Sequence, residues 1–183
     1  MDNGASSYRR FLNGDDNGLV EIIRDYKDGL ILYLNSFVRN IDTAEELTEE
    51  TFVKIVIKKP KYNEKSSFKT WLYAIGRNIT LDYLKHNKKD TVLQTESLQG
   101  YDEECLEKSY IRKEDKILIH KAIKKLKPEY RQVLWLTYFE DFSNKETAKL
   151  MKKSVHNIET LVYRARKTLK TELEKEGFTY EDI

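Results

Sequence analysis

Apolar residues recur at helical spacing along most of this chain. In "LVEIIRDYKDGLILYLNSFV" they fall at Leu19, Ile22, Ile23 and Tyr26, then at Leu30, Leu34 and Phe37, with Gly29 as a weak point near the middle. "TAEELTEETFVKIVIKK" follows as a second helix. Thr43 is placed to cap it, and Glu45 and Glu46 stand in the first turn, where the helix dipole favours acids. Pro60 ends it, and residues 59–67, "KPKYNEKSS", read as a loop. A third helix opens at Phe68, and the spacing of Phe68, Leu72, Ile75 and Ile79 predicts a core face.

The stretch 91–110, "TVLQTESLQGYDEECLEKSY", loses the periodicity and turns acidic, so it reads as a linker. Beyond it, "DKILIHKAIKKL" aligns Ile119, Ala122, Ile123 and Leu126. Pro128 suits the first turn of the next helix, "PEYRQVLWLTYFED". "SNKE", 143–146, is a capping box, a serine followed three residues later by a glutamate. It opens the short helix "NKETAKLM". "KKS" is a tight turn, and Ser154 caps a final helix from Val155 to Glu174. Short helix, turn and long helix make the helix-turn-helix pattern. The expected fold is all-α, with two small helical domains, 1–90 and 114–183, joined by a flexible linker at 91–113. The C-terminal domain is the helix-turn-helix.

Charge sharpens this division. The net charge of +2 conceals blocks: residues 1–51 carry −6, 52–90 carry +7, 91–120 carry −3, 121–170 carry +8 and 171–183 carry −4. Two basic blocks on two helical units suggest two contact points on a polyanion. With 35% charged residues and no apolar run near the ~18 residues of a membrane span, the chain reads as soluble. "MDNGASSYRR" has no apolar h-region, so no secretory signal is expected. The single cysteine, Cys105, excludes an internal disulfide and points to a reduced, cytoplasmic setting. His86, His120 and His156 stand far apart, and no paired carboxylates or glycine-rich phosphate loop accompany them. No catalytic set, metal, cofactor or small-molecule substrate is therefore expected.

Two helices combine cations with groups that read bases. In the last, Ile158, Leu161, Val162, Ala165 and Leu169 cluster on the core side. His156, Thr160, Tyr163 and Lys167 lie opposite, flanked by Arg164, Arg166 and Lys170. Polar side chains that reach base edges, beside cations that hold phosphates, are what a major-groove helix needs. In the helix from Phe68, the spacing puts Lys69, Tyr73, Arg77 and Thr80 on one exposed face, while Trp71 is expected in the core. Cations with interleaved rings suit single-stranded nucleic acid, where stacking is worth ~1–3 kcal/mol per base. One unit suited to a duplex and one suited to single strands point to a protein that opens DNA.

Four stretches, "AEELTEETF" (44–52), "SFKTWLYAIGRNITLDYLK" (67–85), "LKPEYRQVLWLTYFEDFSNKETAKLM" (126–151) and "YRARKTL" (163–169), resemble in this order a bacterial RNA polymerase sigma factor of the extracytoplasmic-function (ECF) group. The resemblance implies a promoter-specificity subunit whose partners are core RNA polymerase and promoter DNA, duplex at −35 and single-stranded at −10. Many members of the group are held inactive by an anti-sigma factor, which adds that class of partner. Glu45, Glu46, Leu47 and Glu49 would dock on the polymerase. Tyr62, Asn63, Lys65 and Ser66 of the 59–67 loop would pocket an unpaired −10 base, and Lys69, Tyr73, Arg77 and Asn78 would line the opened strand. His156, Asn157, Thr160 and Tyr163 would read the −35 duplex, with Arg164, Arg166 and Lys167 on its phosphates. Glu159 and Leu161 depart from the group's pattern of cations there. Glu159 can accept from cytosine N4 yet repels phosphate, so modest −35 affinity is expected. A stand-alone helix-turn-helix regulator would explain 126–170 but not the aromatic and basic helix after Phe68. A purely protein-binding helical module would explain neither basic block.

Overall fold

The computed structural model describes residues 3–87, 119 and 121–177, all of whose regular elements are helical. The chain divides into two compact units, Met1–Tyr101 and Asp102–Ile183. The linker expected over 91–113 lies outside the described residues, as do Cys105 and His120.

The first unit contains α1 (Asn3–Leu12), α2 (Asn17–Val38), α3 (Ile41–Lys58) and α4 (Phe68–Asn87). The periodicity reading supplies no helix before Leu19. Yet α1 exists because Ala5, Tyr8 and Phe11, three residues apart, bury their side chains against the rest of the unit. Serines, an asparagine and arginines between them hide that spacing. α2 runs unbroken through Gly29. Leu30, Tyr33 and Leu34 just beyond it are fully buried, and such packing outweighs the ~1 kcal/mol helix cost of one glycine.

α3 starts earlier than expected. Asn40, not Thr43, is its cap: Asn40 is extended (φ −138°, ψ 122°), and its side chain accepts from the Thr43 N–H at 2.8 Å. Thr43 is already helical, so it supplies the donor that the cap satisfies. The helix ends at Lys58, with Lys59 left-handed (φ 41°) immediately before Pro60. α4 then crosses α2 and α3 closely at Gly76, where a Cβ would lie 3.1 Å from Leu30 and 3.3 Å from the Thr51 hydroxyl.

In the second unit a helical stretch at 121–125 precedes α5 (Pro128–Leu134), which passes into one π turn, Trp135–Phe139. The Trp135 and Phe139 rings stack at 4.4 Å and 9°. Helices α6 (Asn144–Met151) and α7 (Val155–Lys175) complete the helix-turn-helix. Both capping expectations hold here. The Ser143 hydroxyl accepts from the Glu146 N–H at 3.3 Å while the Glu146 carboxylate accepts from the Ser143 N–H at 3.1 Å, and Ser154 accepts from the Asn157 N–H at 3.2 Å. Lys152, left-handed at φ 54°, makes the turn between the two helices.

Leu126, Val133, Leu136, Ile158 and Ala165 form the core of this unit. Arg131 is buried among them, and its guanidinium donates to the Leu126 carbonyl at 2.7 Å, tying α5 to the preceding helical stretch. Ser143→Ala should lower the unit's stability by about 1 kcal/mol. A thermal midpoint unchanged in that variant would mean that α6 is oriented by its packing alone.

Candidate nucleic-acid interface

In the first unit the candidate residues sit on the loop between α3 and α4 and on α4 itself. Asn63 and Lys65 are exposed at the loop, and Ser66 is half-buried. The loop is folded on itself. The Tyr62 hydroxyl donates to the Ser66 carbonyl at 2.5 Å, the Asn63 side chain accepts from the Lys65 N–H at 3.2 Å, and Glu64 between them is left-handed at φ 58°. The Tyr62 ring meets Phe68 edge-on at 5.7 Å and Trp71 at 5.3 Å. Tyr62 is therefore held as a strut of the loop, with its hydroxyl already engaged.

On α4 the expected exposed face is only partly exposed. Asn78 is exposed and Lys69 and Arg77 are half-buried, but Tyr73 and Thr80 are buried completely. The reason is geometric. α4 packs on both α2 and α3, so its buried arc is wider than the single apolar stripe of Phe68, Leu72, Ile75 and Ile79. Tyr73 stacks on Tyr33 at 5.3 Å and 28°, and the Lys69 ammonium lies 5.7 Å from the Tyr73 ring. Tyr73 thus supports Lys69 from beneath and does not face a strand itself. Trp71, expected in the core, is half-buried against Tyr8, Tyr62 and Phe68. Burial pushes the Tyr33 phenol well above its ordinary range, against the opposing field of Arg77. The Arg77 Nε is itself buried and has no hydrogen-bond partner among the described residues.

The acidic patch on α3 is also trimmed. Glu45, Glu46 and Glu49 are exposed, whereas Leu47 is 3% exposed and belongs to the core. Sequence reasoning missed what continues that surface. Val53, Val56 and Ile57 on the same helix are exposed, Ile57 by 68%, and with Ile23 and Phe52 they line a shallow apolar groove beside Glu49. The signal was present in "FVKIVIKK", which holds more apolar residues than one core face can use.

In the second unit, α7 presents His156, Asn157, Tyr163, Arg164, Arg166 and Lys167 to solvent, with Thr160 half-buried among them. Ile158 and Ala165 anchor the opposite side. The Arg166 guanidinium lies 6.0 Å from the Tyr138 ring. Arg166 and Tyr163 also border an apolar groove floored by Leu134, Leu169 and Leu173. They stand on one flank of the helix, and Arg164 stands on the other.

This fold defines a helix-turn-helix protein that carries a second, separate helical unit. Two family models match it: "Sigma-70 region 2" over residues 22–90 and "Sigma-70, region 4" over residues 116–169. The chain is 28% identical to the ECF RNA polymerase sigma factor SigW of Bacillus subtilis (strain 168), over 87% of this chain and 91% of that protein. It is 29% identical to the RNA polymerase sigma factor SigV of the same organism, over 88% and 94%. Its fold is similar to that of the sigma factor RpoE solved with the anti-sigma factor NepR from Bartonella quintana, with a TM-score of 0.67 at 22% identity over 90% of this chain and 98% of that one. The chain belongs to the sigma-70 family of RNA polymerase sigma factors, in its extracytoplasmic-function group.

Proposed function

We propose that this chain is a promoter-specificity subunit that joins core RNA polymerase, recognises −35 and −10 elements and opens DNA for initiation. The observation that carries it is the pairing of region 2 and region 4 matches in one chain, each on its own compact unit. A stand-alone helix-turn-helix regulator accounts for the second unit only. The role is non-catalytic and cytoplasmic, where the polymerase works. No described helix is long and apolar enough to cross a membrane. Run-off transcription with core polymerase over a promoter library tests the reading. A protein that binds its duplex target alone and directs no transcription with core polymerase would instead be a regulator.

Within this function, Asn63, Lys65 and Ser66 at the loop, with Lys69, Arg77 and Asn78 on α4, receive the unpaired −10 strand. Their support is a cationic, polar edge above an aromatic core that holds it still. On α7, Thr160, His156, Asn157 and Tyr163 face bases, and Arg164, Arg166 and Lys167 face phosphates. The polymerase contact on α3 combines Glu45, Glu46 and Glu49 with Val53, Val56 and Ile57, acids that steer a basic partner beside apolar groups that give up water on docking. Glu46→Lys should weaken core binding and make it less salt-sensitive while leaving the helical content unchanged. Core affinity equal to that of the parent would remove α3 from the interface. An anti-sigma factor is a further partner this reading admits.

A further inference from the structure

We infer that α1 is a brace for the 59–67 loop and that Tyr8 is the positioning residue through which it acts. The inference rests on the reading that this loop receives a −10 base. α1 lies outside both family matches, which begin at residue 22 and residue 116, so neither match gives it a role.

The contacts fall in series along the loop. The Lys59 ammonium lies 5.2 Å from the Phe11 ring. The Tyr8 hydroxyl donates to the Pro60 carbonyl at 2.7 Å. The Arg9 guanidinium reaches the Glu64 carboxylate at 3.7 Å. The Tyr8 ring meets Trp71 at 5.1 Å and Phe68 at 5.6 Å, the same two rings that hold Tyr62. Tyr8 is 1% exposed, and burial pushes its phenol up to about 12, so at neutral pH the hydroxyl keeps the proton it donates.

A brace must itself be held, and α1 is held by α2 independently of the loop. The Ser7 hydroxyl donates to the Glu21 carboxylate at 2.6 Å, and Arg10 pairs with Glu21 at 2.9 Å and with Asp15 at 2.7 Å. The helices touch at Gly18, where a Cβ would collide with the Ser7 carbonyl and lie 2.8 Å from the Phe11 nitrogen. Only glycine permits that approach. The loop's own bonds, Tyr62 to Ser66 and Asn63 to Lys65, set its shape. The bonds from α1 set where that shape stands relative to α4. A polar pocket that reads a base edge works only if its groups are fixed to a fraction of an ångström.

Tyr8→Phe keeps the ring and removes the donor. It should speed amide exchange over residues 61–67 by about 3–10-fold, the equilibrium value of one hydrogen bond. In run-off transcription with core polymerase it should reduce discrimination between the preferred −10 base and the next best by a comparable factor. Core affinity and −35 dependence should stay those of the parent, which a general loss of stability would not predict. Unchanged exchange over 61–67 overturns the brace. Faster exchange with unchanged −10 discrimination, where Asn63→Ala does shift it, overturns the positioning role and leaves the loop's reading intact. If Asn63→Ala and Ser66→Ala also leave −10 preference unmoved, the loop does not read a base, and the role given to Tyr8 falls with it.

Discussion

Phe68→Ala should cost the first unit about 3–5 kcal/mol, the usual loss for a buried phenylalanine cut back to alanine. Phe68 is fully buried at the first turn of α4. Its ring meets those of Tyr8, Tyr26, Tyr62 and Trp71 at 5.3–5.7 Å, so one side chain joins α1, α2, the loop and α4. These ring pairs are tilted or edge-on, the arrangements that add to burial. A small domain has about 5–15 kcal/mol in all, so this variant should be close to unfolded at physiological temperature. Denaturant unfolding followed by circular dichroism reads the loss. A cost near 1 kcal/mol would show that the cluster relaxes around the cavity and that α4 is held chiefly by Leu72, Tyr73 and Ile79.

Replacing Arg164, Arg166 and Lys167 together with alanine should flatten the salt dependence of −35 duplex binding by the polymerase-bound protein. Each phosphate left without its cation takes about 0.9 from the slope of log K against log salt, so three such phosphates take about 2.7. Affinity should fall nearly equally on all −35 sequences, since phosphates carry no base identity. Thr160→Ala should do the reverse, changing which sequence is preferred while leaving the slope alone. Arg166 lies 6.0 Å from the Tyr138 ring. If that pairing persists in the complex, only two cations meet phosphate and the slope changes by about 1.8. An unchanged slope would place the duplex on another surface.

The helix-turn-helix was open to sequence reasoning because its signals are local. Ser143 with Glu146, Ser154, and Pro128 at a first turn each depend on neighbours within four residues. What escaped depends on packing between residues distant in sequence. Tyr73 and Thr80 look exposed on a helical wheel built around one apolar stripe, and only the packing of α4 on two helices buries them. The resemblance makes Leu47 a docking point together with its neighbouring glutamates, whereas in α3 it falls on the inward side with Ala44, Thr48 and Thr51. Asn40 and Thr43 are both good capping residues, and the choice rests on where the backbone leaves the extended region. The π turn at Trp135–Phe139 has no marker in composition at all.

The bond from Tyr8 to Pro60 spans 52 residues of sequence, which sets an order of events during translation. α1 leaves the ribosome ahead of its partners on the loop and α4, which are among the later parts of the unit to follow. At roughly 5–20 residues per second, α1 waits about 3–10 s for them. In that interval it can settle on α2 through Ser7, Arg10 and Gly18, with the Tyr8 and Phe11 rings still uncovered. The emerging loop then meets a surface already in place, and Phe68 and Trp71 close over it afterwards. A chain released before residue 68 would expose those rings, a patch that chaperones bind.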